Sequence, residues 1–216
     1  MREEVIAAIE NKKLIAIIRG ANVADAVAAA NALLDGGISL IEVTFNQKDP
    51  SSFPTTAESI RAIIQELGDR VLVGAGTVLT TEQVEMAAQA GAKYIISPDT
   101  DCDVIRRTLE LGLVSLPGAY TATEAKRAYT AGADFVKIFP CIGDAPAYVK
   151  ALCAPLSHIR FLAVGGVNVE NCTAFLNAGA VGLGIGSCLV SKERLANRQY
   201  DKITDTARQF VEKIKA

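Results

Sequence analysis

The feature that most constrains this chain is a rhythm of apolar runs. Eight short runs of continuous apolar character lie at residues 14–18, 40–45, 71–74, 94–97, 114–116, 135–139, 161–164 and 182–185. A strand that is apolar at nearly every position, without polar alternation, is covered on both faces; parallel strands flanked by helices are in that situation. Helical periodicity fills the gaps at 23–34, 55–67, 81–90, 101–111, 122–131, 145–153 and 169–178, with a last helix at 201–215 and an extra one at 2–10. Glycines follow many of these helices just ahead of the next strand. Gly37, Gly91, Gly112, Gly132 and Gly179 stand where a left-handed C-cap is needed. Eight β-then-α units predict one (β/α)8 TIM barrel over residues 1–216, α/β in class, with an extra N-terminal helix. A doubly wound open sheet is the alternative. It usually has fewer strands, and no G-x-G-x-x-G follows the first run here.

Composition removes several functional classes. Half the residues are hydrophobic and the net charge is −2 with no basic block, so neither nucleic-acid binding nor polybasic membrane attachment has electrostatic support. No apolar run approaches a membrane span, and Met1-Arg2-Glu3-Glu4 lacks the apolar core of a signal peptide, so the expected location is cytoplasmic. The five cysteines contain no C-x-x-C pair and read as reduced, small hydrophobic residues. With a single histidine, His158, in a polar segment, a histidine-rich zinc site is excluded. No metal and no cofactor is expected.

Two residues break the apolar rhythm. Lys137 sits inside Phe135-Val136-Lys137-Ile138-Phe139-Pro140, and Glu42 sits inside Leu40-Ile41-Glu42-Val43-Thr44-Phe45. Stripping an ammonium or a carboxylate of water is costly, so such groups are rarely buried without a purpose. A desolvated lysine has a lowered pKa and can attack a carbonyl to form a Schiff base, while a buried glutamate has a raised pKa suited to general acid/base work. The structural alternative is that the two pair as buried ions, or that the lysine reaches the barrel rim.

Active sites of such barrels lie at the C-terminal ends of the strands, and phosphate commonly sits after strands seven and eight. Those two ends carry Gly165-Gly166 and Gly186-Ser187, where backbone N–H groups can approach an anion, the second pair at a helix start. Tight turns alone would also use glycine, but two pairs on the two expected strands favour a phosphate group. Arg19, the first polar residue after strand one, can bind a carboxylate or phosphate in fork geometry, or form a surface salt bridge.

The motifs Ile41-Glu42-Val43-Thr44, Gly74-Ala75-Gly76-Thr77-Val78, Ser97-Pro98, Pro117-Gly118-Ala119-Tyr120-Thr121-Ala122-Thr123-Glu124, Lys137-Ile138-Phe139-Pro140 and Gly165-Gly166-Val167 occur in this order. In that arrangement the whole chain resembles the 2-keto-3-deoxy-6-phosphogluconate and 4-hydroxy-2-oxoglutarate aldolase family. The resemblance implies a class I aldolase, a homotrimer acting on a small-molecule substrate, with Lys137 as the Schiff base and Glu42 as the acid/base. It implies that Thr77 and Pro98 line the pyruvate pocket, that Phe139 packs beside the imine, and that phosphate falls to Gly165, Gly166, Gly186 and Ser187. Many members carry an arginine four residues after the glutamate, binding the pyruvate carboxylate. Here that position is Asn46, and Arg19 stands where other members place the cation after strand one. Asn46 also resembles the branch that cleaves the galactonate epimer.

The expected reaction is cleavage of 2-dehydro-3-deoxy-6-phosphogluconate to pyruvate and glyceraldehyde 3-phosphate. The same cleavage of the 6-phosphogalactonate epimer, or of 4-hydroxy-2-oxoglutarate to pyruvate and glyoxylate, is the alternative. Two further readings stay open on the residues alone. One is a barrel isomerase or lyase using Lys137 as a charged electrophile without covalent chemistry. The other is a ligand-binding barrel in which Lys137 and Glu42 merely pair.

Overall fold

A computed structural model describes residues 2–215. The chain opens with α1 (Arg2–Lys12), then alternates: β1 (Leu14–Ile18), α2 (Val23–Asp35), β2 (Leu40–Thr44), α3 (Phe53–Leu67), β3 (Leu72–Gly76), α4 (Thr81–Gln89), β4 (Tyr94–Ile96), α5 (Cys102–Glu110). It continues with β5 (Val114–Leu116), β6 (Gly118–Ala119), α6 (Ala122–Thr130), β7 (Val136–Ile138), α7 (Ala145–Cys153), β8 (Phe161–Val164), α8 (Cys172–Asn177), β9 (Gly182–Ile185), α9 (Lys192–Ala196) and α10 (Tyr200–Lys215). All strands pair in parallel, in the order β5-β4-β3-β2-β1-β9-β8-β7-β6.

The count of nine strands against an expected eight has a covalent cause. Only Pro117 separates β5 from β6, and proline brings no N–H to a ladder. Hydrogen bonding nonetheless passes through the break. On one side Ser97 N donates to Leu116 O at 3.2 Å; on the other Phe135 N donates to Ser115 O at 3.2 Å and Lys137 N to Pro117 O at 2.8 Å. The two ends of the order are therefore one stretch of chain, and the sheet curls into an eight-membered (β/α) barrel with its N-terminal helix, as the apolar rhythm predicts.

The five helix-ending glycines all have positive φ, from +71° at Gly112 to +107° at Gly179. This is the left-handed cap that lets each helix turn back into a strand. N-caps also follow the sequence: Thr80 accepts from Gln83 N, and Thr121 forms a reciprocal capping box with Glu124. The expected helix at 169–178 is shorter, Cys172–Asn177, because Asn168 and Asn171 bond each other's backbone N–H at 2.9 and 2.8 Å and hold the preceding residues in a turn. The short α9 was not expected, and α3 begins two residues earlier than predicted.

Two apolar clusters form the core. The larger lies between strands and helices; the smaller fills the barrel's lower interior with Ile15, Leu40, Tyr94, Leu116, Phe135 and Leu162. Val5, Ile6 and Ile9 of α1 join the smaller cluster, so this helix stoppers the N-terminal end of the barrel. Among the described residues no helix is long and apolar enough to cross a membrane, and no group of three or more His, Cys, Asp and Glu is placed to hold a metal.

Candidate active site

Strand parity sends alternate side chains into the barrel. On β7 this places Lys137 on the same face as Phe135 and Phe139, and on β2 it places Glu42 on the same face as Leu40 and Thr44. Both charged residues are buried, Lys137 6% and Glu42 2% exposed. Glu42 fits because β3 has no side chain at its neighbour's position: a Cβ on Gly76 would overlap Glu42 Oε1. One layer lower, a Cβ on Gly74 would overlap the Tyr94 ring, whose hydroxyl donates to Ile41 O at 2.7 Å. Two inward glycines on one strand thus make room for the carboxylate and for the aromatic floor beneath it.

Burial pushes the Lys137 amine below its ordinary 10.5; Glu42 opposes this, Arg19 adds to it, and Asp99 opposes it. Burial likewise pushes the Glu42 carboxyl above 4.5, against the pull of Lys137 and Arg19. The two feel each other's charge, yet no hydrogen bond or ion pair within 4.0 Å joins them among the described residues. The buried-pair alternative is therefore not realised. Lys137 Nζ instead lies 4.7 Å from the centroid of the Phe139 ring.

A cavity of about 740 Å³ opens above this layer at the C-terminal ends of the strands. Lys137, Arg19 and Phe139 line it, together with Gly165, Gly166, Gly186 and Ser187. The first glycine pair is conformationally required: both residues have positive φ (+89° and +72°), and a Cβ on Gly166 would overlap the Cys141 carbonyl oxygen. The second pair differs from expectation. Gly186 and Ser187 open an isolated turn, closed by Leu189 N and Val190 N on Gly186 O, and not a regular helix. The four-residue spacing to α9 leaves no chain for one.

The remaining expected residues, Thr77, Pro98 and Asn46, are not among the residues lining this cavity. Thr77 follows β3 at φ +55°, a rare setting for a β-branched residue and a cost of about 1–3 kcal/mol. It is held there by Gln47, whose amide donates to Thr77 O at 2.6 Å, while Gln83 accepts from Leu79 N at 2.7 Å. Pro98 abuts Gly118, where any side chain would overlap its carbonyl. Asn46 is exposed and lines a separate, smaller cavity of about 290 Å³ with Thr44, so it stands away from the Lys137 cavity. Arg19, by contrast, lines the large cavity.

The sequence alone did not single out Gly76, Gln47 and Gln83, which shape the surroundings of Glu42 and Thr77. Gly76 belongs to the Gly74–Val78 motif, but its reason, the approach of Glu42, is visible only across two strands. Gln83 is 3% exposed, and a buried glutamine in a helix's first turn was the available signal. The five cysteines are free, with Cys141 and Cys172 buried and Cys188 exposed at the cavity. His158 is exposed and packs edge-on against Tyr129 at 4.8 Å, far from any nucleophile role.

A family model described as KDPG and KHG aldolase matches residues 5–206. The 2-dehydro-3-deoxy-6-phosphogalactonate aldolase of Escherichia coli (strain K12) is 41% identical over 199 residues, 92% of each chain. A solved structure described as native KDPGal superposes with a TM-score of 0.84 at 39% identity, covering 94% of each chain. The KDPG aldolase of Legionella pneumophila, solved with pyruvate captured at low pH as a covalent carbinolamine intermediate, superposes with a TM-score of 0.81 at 26% identity over 94% of this chain and 96% of that one.

Proposed function

The chain belongs to the KDPG and KHG aldolase family, and on that premise we propose that Lys137 forms a Schiff base with the C2 ketone of a 2-keto-3-deoxy-6-phospho sugar acid. Aldolase-type lyase activity comes with the family; the covalent route and the substrate are our reading. The observation that carries it is the placement of Lys137. It is a buried amine with a lowered pKa, free of an ion pair with Glu42, at the floor of a cavity. The covalent intermediate in the Legionella pneumophila relative supports the same step here.

The neutral amine adds to C2, and loss of water gives a protonated imine that withdraws electrons from C3. Glu42, as carboxylate, takes the proton of the C4 hydroxyl, directly or through a water. The C3–C4 bond breaks, its electrons entering the enamine, and glyceraldehyde 3-phosphate leaves. Glu42 then returns a proton to C3, and hydrolysis of the imine frees pyruvate. The imine serves as the electron sink. Arg19 orients the C1 carboxylate, Phe139 walls the imine, and Thr77 and Pro98 border the pyruvate half.

Asn46 favours the galactonate epimer over the gluconate epimer expected from sequence. No cation stands at that position, the cavity takes Arg19 from strand one, and the 41% identical relative is a 6-phosphogalactonate aldolase.

The test is intact-mass spectrometry after incubation with pyruvate and borohydride, with peptide mapping and turnover of both epimers. A reduced pyruvate adduct on the Lys137 peptide is expected, with turnover in Lys137→Ala lower by at least about a thousandfold. Active protein that forms no adduct removes the covalent mechanism. A higher kcat/KM on the gluconate epimer removes the epimer assignment.

A further inference from the structure

We propose that Lys192 is the side-chain cation for the distal phosphate, and that it makes this cavity selective for phosphorylated sugar acids. The inference rests on the aldolase reading of the same cavity and adds a residue to it.

Lys192 is the first residue of α9, and it lines the large cavity together with Gly165, Gly166, Gly186 and Ser187. Two sets of bonds fix its position. The N-cap Ser191 accepts from Arg194 N at 3.0 Å, setting the start of α9. The Arg194 guanidinium then donates to Leu189 O at 2.7 Å and Cys188 O at 3.2 Å, tying α9 to the turn that carries Gly186 and Ser187. From there the aliphatic stem of Lys192 reaches the end of β1. Its Cε lies 4.0 Å from the point a Cβ on Gly20 would occupy.

The charges in the cavity divide between two anions. Lys137 reacts at C2. Arg19 follows β1, lines the cavity and acts electrostatically on both Lys137 and Glu42, which suits it to the C1 carboxylate. Lys192 instead follows the turn that carries Gly186 and Ser187, the pair at the end of β9. It makes no hydrogen bond or ion pair among the described residues, and Glu193, the carboxylate beside it at the cavity, is not bonded to it. The glycine loops offer backbone dipoles, but a phosphate carries close to two negative charges and takes a lysine as a point charge. Besides Lys137 and Arg19, Lys192 is the cation among the described residues lining this cavity.

The experiment compares wild type, Lys192→Ala and Lys192→Arg. kcat/KM is measured on 2-keto-3-deoxy-6-phosphogalactonate and its unphosphorylated counterpart, with inhibition by inorganic phosphate as a second readout. Pyruvate–borohydride trapping is run on all three proteins. The expected result is a roughly tenfold fall in the phosphorylated-to-unphosphorylated ratio in Lys192→Ala, carried by KM, with weaker phosphate inhibition and recovery in Lys192→Arg. Trapping persists in the alanine variant, showing that it is folded and that the lysine chemistry stands. If wild type traps pyruvate but Lys192→Ala leaves the ratio and phosphate inhibition unchanged, or lowers both substrates equally, Lys192 is not the phosphate cation. If wild type itself traps nothing, it is the aldolase reading that fails.

Discussion

Lys137 and Glu42 are held in the barrel against the solvation preference of both, and that has a measurable consequence for stability. A carboxyl whose folded pKa is raised above 4.5 favours the fold at pH below 4.5, and this contribution is lost as pH rises through the folded value. A lysine whose folded pKa is lowered below 10.5 favours the fold above pH 10.5, and this is lost as pH falls through the folded value. Between those limits each contribution is reduced, the carboxyl's as pH rises from 4.5 and the amine's as pH falls from 10.5. The double variant Glu42→Gln/Lys137→Met should therefore be more stable than wild type near pH 7, by about 1–4 kcal/mol in urea unfolding. The gain should shrink toward pH 4 and toward pH 11, where wild type regains one contribution or the other. A double variant equally stable to wild type at all three pH values would mean that neither group is strained by burial. The activity of that variant is lost by design, so the fold would gain what the chemistry gives up.

At the scale of elements, β3 illustrates how a strand serves two others. Gly74 and Gly76 both face the interior, one opposite the Tyr94 ring of β4 and the other opposite the Glu42 carboxylate of β2. Gly76→Ala should force Glu42 off its position and lower kcat by about a hundredfold while the protein stays folded. Gly74→Ala presses on an aromatic ring with a hydroxyl bonded to Ile41 O, and by overpacking its cost falls on stability. A Gly76→Ala protein with wild-type kcat and an intact circular dichroism spectrum would show that Glu42 has room to move. Much of this was legible in the sequence and some was not, for one reason. Periodicity and capping are local, so the strands, the five left-handed glycine caps and the misfit Lys137 and Glu42 could be read directly. Contacts across strands are not local: nothing near Gly76 in sequence names Glu42 as its neighbour, and nothing near Gln47 names the Thr77 carbonyl. Proline at 117 split one strand into two without changing the ring. Asn168 and Asn171 shortened α8 because their side chains bond backbone groups that a helix start would otherwise use, a competition that hydrophobic pattern does not register.

The whole molecule separates its two ends by task. At the C-terminal end of the strands, irregular turns, positive-φ residues and buried charges gather around the cavity. At the N-terminal end, α1 closes the barrel with Val5, Ile6 and Ile9 against Ile15, Leu40 and Phe135. Ile9 is fully buried there, and it sits on the far side of the lower core from Lys137. Truncating it to alanine leaves a cavity that the rigid strand ends cannot close. Ile9→Ala should therefore cost about 2–5 kcal/mol, read as a lower urea midpoint. The inward layers above it, Leu40 then Glu42, and Phe135 then Lys137, are tied by the strand ladders and not by α1. The kcat of the folded variant should accordingly stay within about twofold of wild type at temperatures where it remains native. A fall in kcat as steep as that of a cavity-lining substitution would show that the stopper positions the catalytic layer, and that the barrel's two ends are mechanically coupled through its core.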